Sequence, residues 1–232
     1  MKKSIWIPDL INLFFPRICH ACREPLIDQE NVLCMSCSLK LPRTNFHLRH
    51  DNPVAMVFWG RVRIEAATSF LFFNKGGRVQ QLMHALKYRG NRKVGIYLGK
   101  LFGSALSDAD TFREADLIIP VPLHPRKLHK RGYNQSEMIG QGLSDTMDKP
   151  LNTQSLSRIV HTASQTRKSR YSRWENVKDV FQVNHPEHVA GRHILLVDDV
   201  LTTGATLEAC ATKLLEVEHT KVSMATLAYA QG

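Results

Sequence analysis

The sequence predicts an α/β protein: a parallel sheet with helices on both faces, behind a small cysteine-bearing N-terminal unit. Three observations carry this. Apolar runs at Leu117-Ile118-Ile119 and Ile194-Leu195-Leu196-Val197, and the mostly apolar stretch Val222 to Tyr229, read as buried strands. Stretches of helical period stand between the runs, so strand and helix alternate. Two C-x2-C pairs stand near the front of the chain.

The stretch from Ile194 to Leu207 organises the rest. Two adjacent carboxylates, Asp198 and Asp199, close its strand. Thr202, Thr203, Gly204, Ala205 and Thr206 then open a helix whose Leu207, Ala211, Leu214 and Leu215 share one face. A strand that feeds a helix N-terminus through small residues makes an anion site. The first-turn N–H groups lack intrahelical partners, and the helix dipole favours negative charge there. Gly204 lets the backbone approach closely, and the threonine hydroxyls add donors. The carboxylates lie beside that anion and suit sugar hydroxyls or a Mg²⁺ shell.

This order of strand, acid pair, Thr-Thr-Gly and helix resembles the type I phosphoribosyltransferases. The resemblance implies that Asp198 and Asp199 hold the ribose 2′- and 3′-hydroxyls of phosphoribosyl pyrophosphate (PRPP), with Mg²⁺. It also implies that residues 202–206 hold the 5′-phosphate.

Charge and length bound the alternatives. The chain has 232 residues, 43% of them apolar, and a net charge of +10. Such a balance steers polyanions toward the protein; nucleic acid and PRPP both qualify, and so does a merely soluble basic protein. Met1-Lys2-Lys3 opens like a signal peptide, but Pro8, Asp9 and Asn12 interrupt the apolar stretch. The expectation is a cytoplasmic protein with no membrane span and reduced thiols. Residues 9–15 read alternatively as a short apolar helix that docks on this chain or on a partner.

Cys19, Cys22, Cys34 and Cys37 have the spacing of a structural zinc unit. Each C-x2-C turn brings two sulfurs to one side, and four thiolates close a tetrahedron with no position left for chemistry. Two redox dithiols are the competing reading; the tandem favours metal. The expected division is residues 1–50 for an N-terminal helix and zinc-ribbon-like unit, and 51–232 for the α/β domain.

In between, Leu41 to Asn52 reads as a linker or loop, and His47 and His50 as exposed loop histidines. Val54 to Trp59 and Ala66 to Phe73 read as strands. Asn74-Lys75-Gly76-Gly77 is a turn. Val79, Leu82, Met83 and Leu86 mark a helix stopped by Lys87-Tyr88-Arg89-Gly90. Lys87 is either part of that stop or a charge aimed at the site. Val94, Leu98, Leu101, Phe102 and Ala105 mark a second helix.

The strand at Leu117 runs into a cationic loop carrying Arg126, Lys127, Lys130 and Arg131, with no acid among them. Ligands of open α/β sheets bind at the carboxyl ends of strands, so this loop suits pyrophosphate. A helix from Ser136 to Met147 follows. The combination Leu86-Lys87-Tyr88-x-Gly90-Asn91, Pro120-x-Pro122-Leu123-His124, Arg131-Gly132-Tyr133-Asn134-Gln135, the four-Cys unit and the Asp-Asp loop resembles the ComF family. That resemblance implies a zinc finger joined to a phosphoribosyltransferase-like domain, with a role in DNA uptake or competence. It also places a lid between Ser157 and Phe181, where Thr162, Gln165, Arg173, Asn176 and Val177 match the family pattern. The expected partners are PRPP and either single-stranded DNA or a DNA-uptake protein. No residue marks a general base or a nucleobase pocket, so both a transferase and a non-catalytic PRPP-sensing or DNA-binding adaptor remain open. Cys210 reads as a small packed residue.

Overall fold

A computed structural model of the chain describes residues 16–88, 90–159 and 180–230. In chain order the elements are α1 (Met35–Leu39), a 3-10 turn (Phe46–Leu48), α2 (Pro53–Met56), β1 (Ala66–Phe73), α3 (Arg78–Tyr88), α4 (Arg92–Ser107) and α5 (Asp110–Arg113). They continue with β2 (Leu117–Pro120), α6 (Pro125–Arg131), α7 (Gln135–Met147), β3 (Leu156–Arg158), β4 (Phe181–Val183), β5 (His193–Leu201), α8 (Ala205–Leu215) and β6 (Lys221–Ala230).

The apolar runs pair as expected. β1, β6, β5 and β2 form one parallel sheet in that order. Strand alternation sends Leu195, Val197 and Leu227 to the face covered by α3, α4 and α7. Ile194, Leu196 and Met224 face α2 and α8 on the other side. Helices therefore cover both faces. α4 and α7 lie almost backbone to backbone: a Cβ on Gly99 would stand 2.3 Å from the Ile139 carbonyl oxygen, and one on Gly142 2.1 Å from that of Ile96. β3 and β4 pair antiparallel as a separate ribbon. No helix among the described residues is long and apolar enough to cross a membrane.

Four local expectations change. Val54 to Trp59 is not a strand. Asn52 and Pro53 are a helix start: the Asn52 side chain accepts from the Val54 and Ala55 N–H groups at 3.0 Å, and Pro53 occupies the first turn. Trp59 projects into solvent, 60% exposed. The cationic loop is largely the helix α6, capped by His124 and ended by Gly132 at φ +78°. Residues 41–52 are the loop of the two alternatives, tied to β1 where Thr44 N–H donates to the Phe70 carbonyl and Phe72 N–H to that of Pro42, so His47 is not exposed. His47 is half-buried there, and burial lowers its pKa. Finally, Asp198 and Asp199 do not close β5. The strand runs through them to Leu201, with Asp198 beside Thr226.

The cysteine unit shares the core of the sheet. Cys19, Val32, Leu33, Cys37 and Leu41 belong to the same apolar cluster as Leu71, Leu82 and Phe102.

Candidate functional site

The acid pair is assembled by three segments. β2 lies beside β5 with Pro120 opposite Val197, so the chain leaving β2 passes the carboxylates. Asn134 then turns it: its side-chain nitrogen donates to the Val121 carbonyl at 2.9 Å while its oxygen caps α7 at Ser136 N–H. That cap sets the first turn of α7 against the acids. Ser136 Oγ donates to Asp198 Oδ1 at 2.9 Å, and Gln135 Nε2 to Asp199 Oδ2 at 3.4 Å. Tyr133 Oη donates to the Leu86 carbonyl, tying this turn to the end of α3. There Lys87 Nζ lies 2.9 Å from Asp199 Oδ2. Burial, and then the neighbouring Asp199 charge, push the Asp198 carboxyl up to about 7. A pair of carboxylates in this setting is a high-energy arrangement that hydroxyl donors or a cation relieve.

The loop beyond the acids is braced from behind. Thr202, Thr203, Ala205 and Thr206 are exposed, and Gly204 is buried at φ +76°. A Cβ there would meet Phe58 and Val57, each at 2.9 Å. Arg61 completes the brace: its Nη1 donates at 3.0 Å to the carbonyls of Val57 and Thr203, and its Nη2 pairs with Glu208. The loop and Asp198 line one cleft at the N-terminus of α8. The α8 N–H groups and the threonine hydroxyls offer donors to an anion beside the acids. A larger cavity, about 410 Å³, lies by Trp59, Arg63 and Glu65, near the start of β1 and away from the acid pair.

Cys19, Cys22, Cys34 and Cys37 bring their sulfurs within 4.8 Å of one another. Cys22 and Cys34 Sγ are 3.8 Å apart, the edge of a tetrahedron with metal–sulfur bonds of about 2.3 Å. Burial pushes the Cys19 thiol up, but backbone N–H groups of Cys22, Cys34 and Ala21 outweigh it and hold it down at about 7. Burial and the neighbouring thiols drive Cys37 up. Thiolates crowded in this way call for a cation at their centre, so the cluster fits a zinc-binding unit.

Residues 136–232 match the phosphoribosyl transferase domain family. The chain is 30% identical over 219 residues to the DNA utilization protein YhgH of Shigella flexneri, covering 88% of this chain and 92% of that one. The chain belongs to the ComF family. Competence protein F of Haemophilus influenzae is 33% identical over 147 residues, covering 61% of this chain and 64% of its own. Competence protein ComFC of Bacillus subtilis is 24% identical over 204 residues, covering 86% and 78%.

The ComF chain places Lys87 against Asp199, and Asp198 in one cleft with the 202–206 loop. Arg126, Lys127 and Lys130 are exposed on α6, and Lys87 is the acid pair's ion-pair partner among the described residues. Arg131 turns instead toward Tyr88, its guanidinium 5.8 Å from the ring centroid. Its Nη1 is buried without a hydrogen-bond partner among the described residues. Arg173 and the lid pattern lie outside the described residues, as do residues 9–15. Sequence reasoning missed Ser136, Gln135, Arg61 and Phe58. For the first two a signal existed: Asn134 directly before a helical period is an N-cap, which points the next residues back along β2. Cys210 is packed and fully buried, as expected.

Proposed function

We propose that this ComF protein binds PRPP with Mg²⁺ and acts as a phosphoribosyltransferase-like protein of DNA uptake or utilisation. The observation that carries the reading is the contiguity, along β5 and into α8, of two carboxylates and a braced, glycine-led helix N-terminus. These match the two halves of a ribose 5-phosphate. Asp198 and Asp199 accept from the ribose hydroxyls. The loop from Thr202 to Thr206 donates to the 5′-phosphate. Lys87 and the cations of α6 face the pyrophosphate; a guanidinium nitrogen withdrawn from water, as in Arg131, favours an anion nearby. Mg²⁺ finds hard oxygen donors in the acid pair and, when bound, offsets charge on the leaving pyrophosphate. In transfer, the bond from C1 to the pyrophosphate oxygen breaks and one from the acceptor to C1 forms, through an oxocarbenium-like state stabilised electrostatically. Zn²⁺ is the proposed occupant of the four-Cys cluster, since four thiolates in a tetrahedron suit it.

Asp198→Asn separates binding from folding. The raised carboxyl pKa means that the native state holds a proton between about pH 4 and 7 that the unfolded chain releases. Asp198 therefore favours folding at the acid end of that window, and its contribution is lost as pH rises through 7. The Asn variant is expected to melt higher than the parent at pH 8, with the difference vanishing near pH 4. Calorimetric titration of PRPP and Mg²⁺ into the same variant should show no binding where the parent binds. A zinc-loaded parent that takes up no PRPP overturns the reading.

A second reading, a nucleic-acid adaptor, is favoured by one specific surface. Tyr88 is 71% exposed beside the cationic α6, an aromatic and basic combination suited to single-stranded DNA. Single-stranded DNA is expected to bind with affinity that falls steeply with salt. Alanine at Arg126, Lys127 and Lys130 together should flatten that slope by about two if each meets one phosphate of a single strand; an unchanged slope rejects this surface.

A further inference from the structure

We propose that His185, Glu187 and His188 form a second metal site, open and three-donor, for a divalent transition ion of the Zn²⁺ class. The site does not depend on the PRPP reading. It stands in the connection from β4 to β5, before His193, at the end of β5 opposite the acid pair.

The local fold brings the donors together. Pro186–His188 is one turn of 3-10 helix, and its period of three places residues 185 and 188 on the same side. Their rings stack with centroids 5.2 Å apart at 28°. His185 Nδ1 lies 3.2 Å from Glu187 Oε1, close to the edge of a tetrahedron with metal–ligand bonds of about 2.0–2.1 Å. Ligand atoms of all three residues lie within 4.8 Å of one another, so a rotamer adjustment of His188 suffices to close on one ion.

The backbone beneath them is held from both sides. His188 N–H donates to the His185 carbonyl at 3.0 Å and Ala190 N–H to that of Pro186 at 2.8 Å. Asn184 is bound to Ser155 and Gln154, each at 2.9 Å. Thr220 Oγ1 holds the Val189 carbonyl at 3.2 Å. A fixed turn lowers the ordering cost of binding.

Donor chemistry selects the ion. Two imidazoles with one carboxylate suit Zn²⁺, Ni²⁺ or Cu²⁺, whereas Mg²⁺ and Ca²⁺ take oxygen shells. Three protein donors at an exposed position leave a fourth to water, unlike the closed four-thiolate cluster.

The test is a Zn²⁺ titration, by calorimetry and by metal analysis after dialysis, of untagged full-length protein with its four-Cys cluster saturated. The parent is expected to take one further equivalent. His185→Ala with His188→Ala should weaken that uptake by roughly tenfold or more, since even partners behind a ligand are worth about 10–100-fold. Glu187→Gln should weaken it less, and His50→Ala not at all. A parent that takes no further equivalent, or a double variant that folds and takes it up equally, overturns the site and leaves a surface ion pair. Near-parental melting of the Glu187 variant keeps the comparison clear of folding effects.

Discussion

Gly204→Ala is expected to destabilise the protein by about 2–5 kcal/mol and to remove phosphate binding with it. Two costs add. A residue with a side chain at φ +76° pays about 1–2 kcal/mol for left-handed backbone. The new methyl also stands 2.9 Å from both Phe58 and Val57. Phe58 is wholly buried, so the clash displaces the loop or the 53–59 segment, at about 1–3 kcal/mol for overpacking. Thermal unfolding should show a drop of roughly 2–4 °C for each kcal/mol in a chain of this size. Arg61→Ala makes the informative contrast. It removes the hydrogen bonds to the carbonyls of Val57 and Thr203 and the pair with Glu208, but it is a partly exposed side chain and creates no clash. Its melting temperature should fall by only a few degrees, because the pair with Glu208 is partly exposed, while PRPP affinity falls roughly tenfold, or about 1.4 kcal/mol, as the loop loses its brace. Lysine at position 61 keeps the charge and loses the fork, so it should restore only part of the affinity. A Gly204→Ala protein that melts like the parent would show that the loop has room the packing denies it.

Which parts of this molecule were legible follows from where the signal lies. β2 and the first half of β5 are apolar runs, β6 is mostly apolar, and α3, α4 and α8 repeat apolar residues at helical spacing, so burial itself writes the pattern. α6 buries no residue, so periodicity is silent there and the segment reads as a loop. At 54–59 the β-branched and aromatic side chains spoke for a strand, while Asn52-Pro53 spoke for a helix start, and capping won. The same division runs through the site. Asp198, Asp199 and Gly204 are contiguous, so their chemistry is visible in one stretch. Ser136 and Gln135 reach the acids only because β2 pairs with β5, and Arg61 meets Glu208 across 147 residues of chain. Arg61 carries no local mark. The first turn of α7 could still have been inferred, since an N-cap after a buried strand aims a helix start at the strand's carboxyl end.

Removing the metal from the four-Cys unit is expected to unfold residues 16–41 and to weaken PRPP binding at a distance. The unit has little structure without its thiolates: α1 has five residues, and Cys37 is its buried one. Ile27, Met35 and Leu39 are all more than 70% exposed. Structural zinc supplies about 10–16 kcal/mol of apparent binding free energy, as much as the whole stability of a typical domain. The unit leans on the site's scaffold. Asn91 Nδ2 donates to His20 Nε2 at 2.7 Å, Arg23 to Gln81 at 3.2 Å, and Ser38 Oγ lies 3.5 Å from Tyr97 Oη. Asn91 stands directly before α4, on the turn that follows Lys87, and Lys87 pairs with Asp199. Chelation, or Cys37→Ser, should therefore remove amide-exchange protection from 16–41 first and lower it around 86–92, while β5 and α8 stay protected. Four of the five free thiols should become reactive, with buried Cys210 the exception. Protection of 16–41 unchanged after the metal is gone would mean that Val32, Leu33 and Leu41, packed in the shared core, hold the unit without it. Loss of protection confined to 16–41, with PRPP affinity intact, would leave the metal structural but sever its link through His20 and Asn91 to the acid pair.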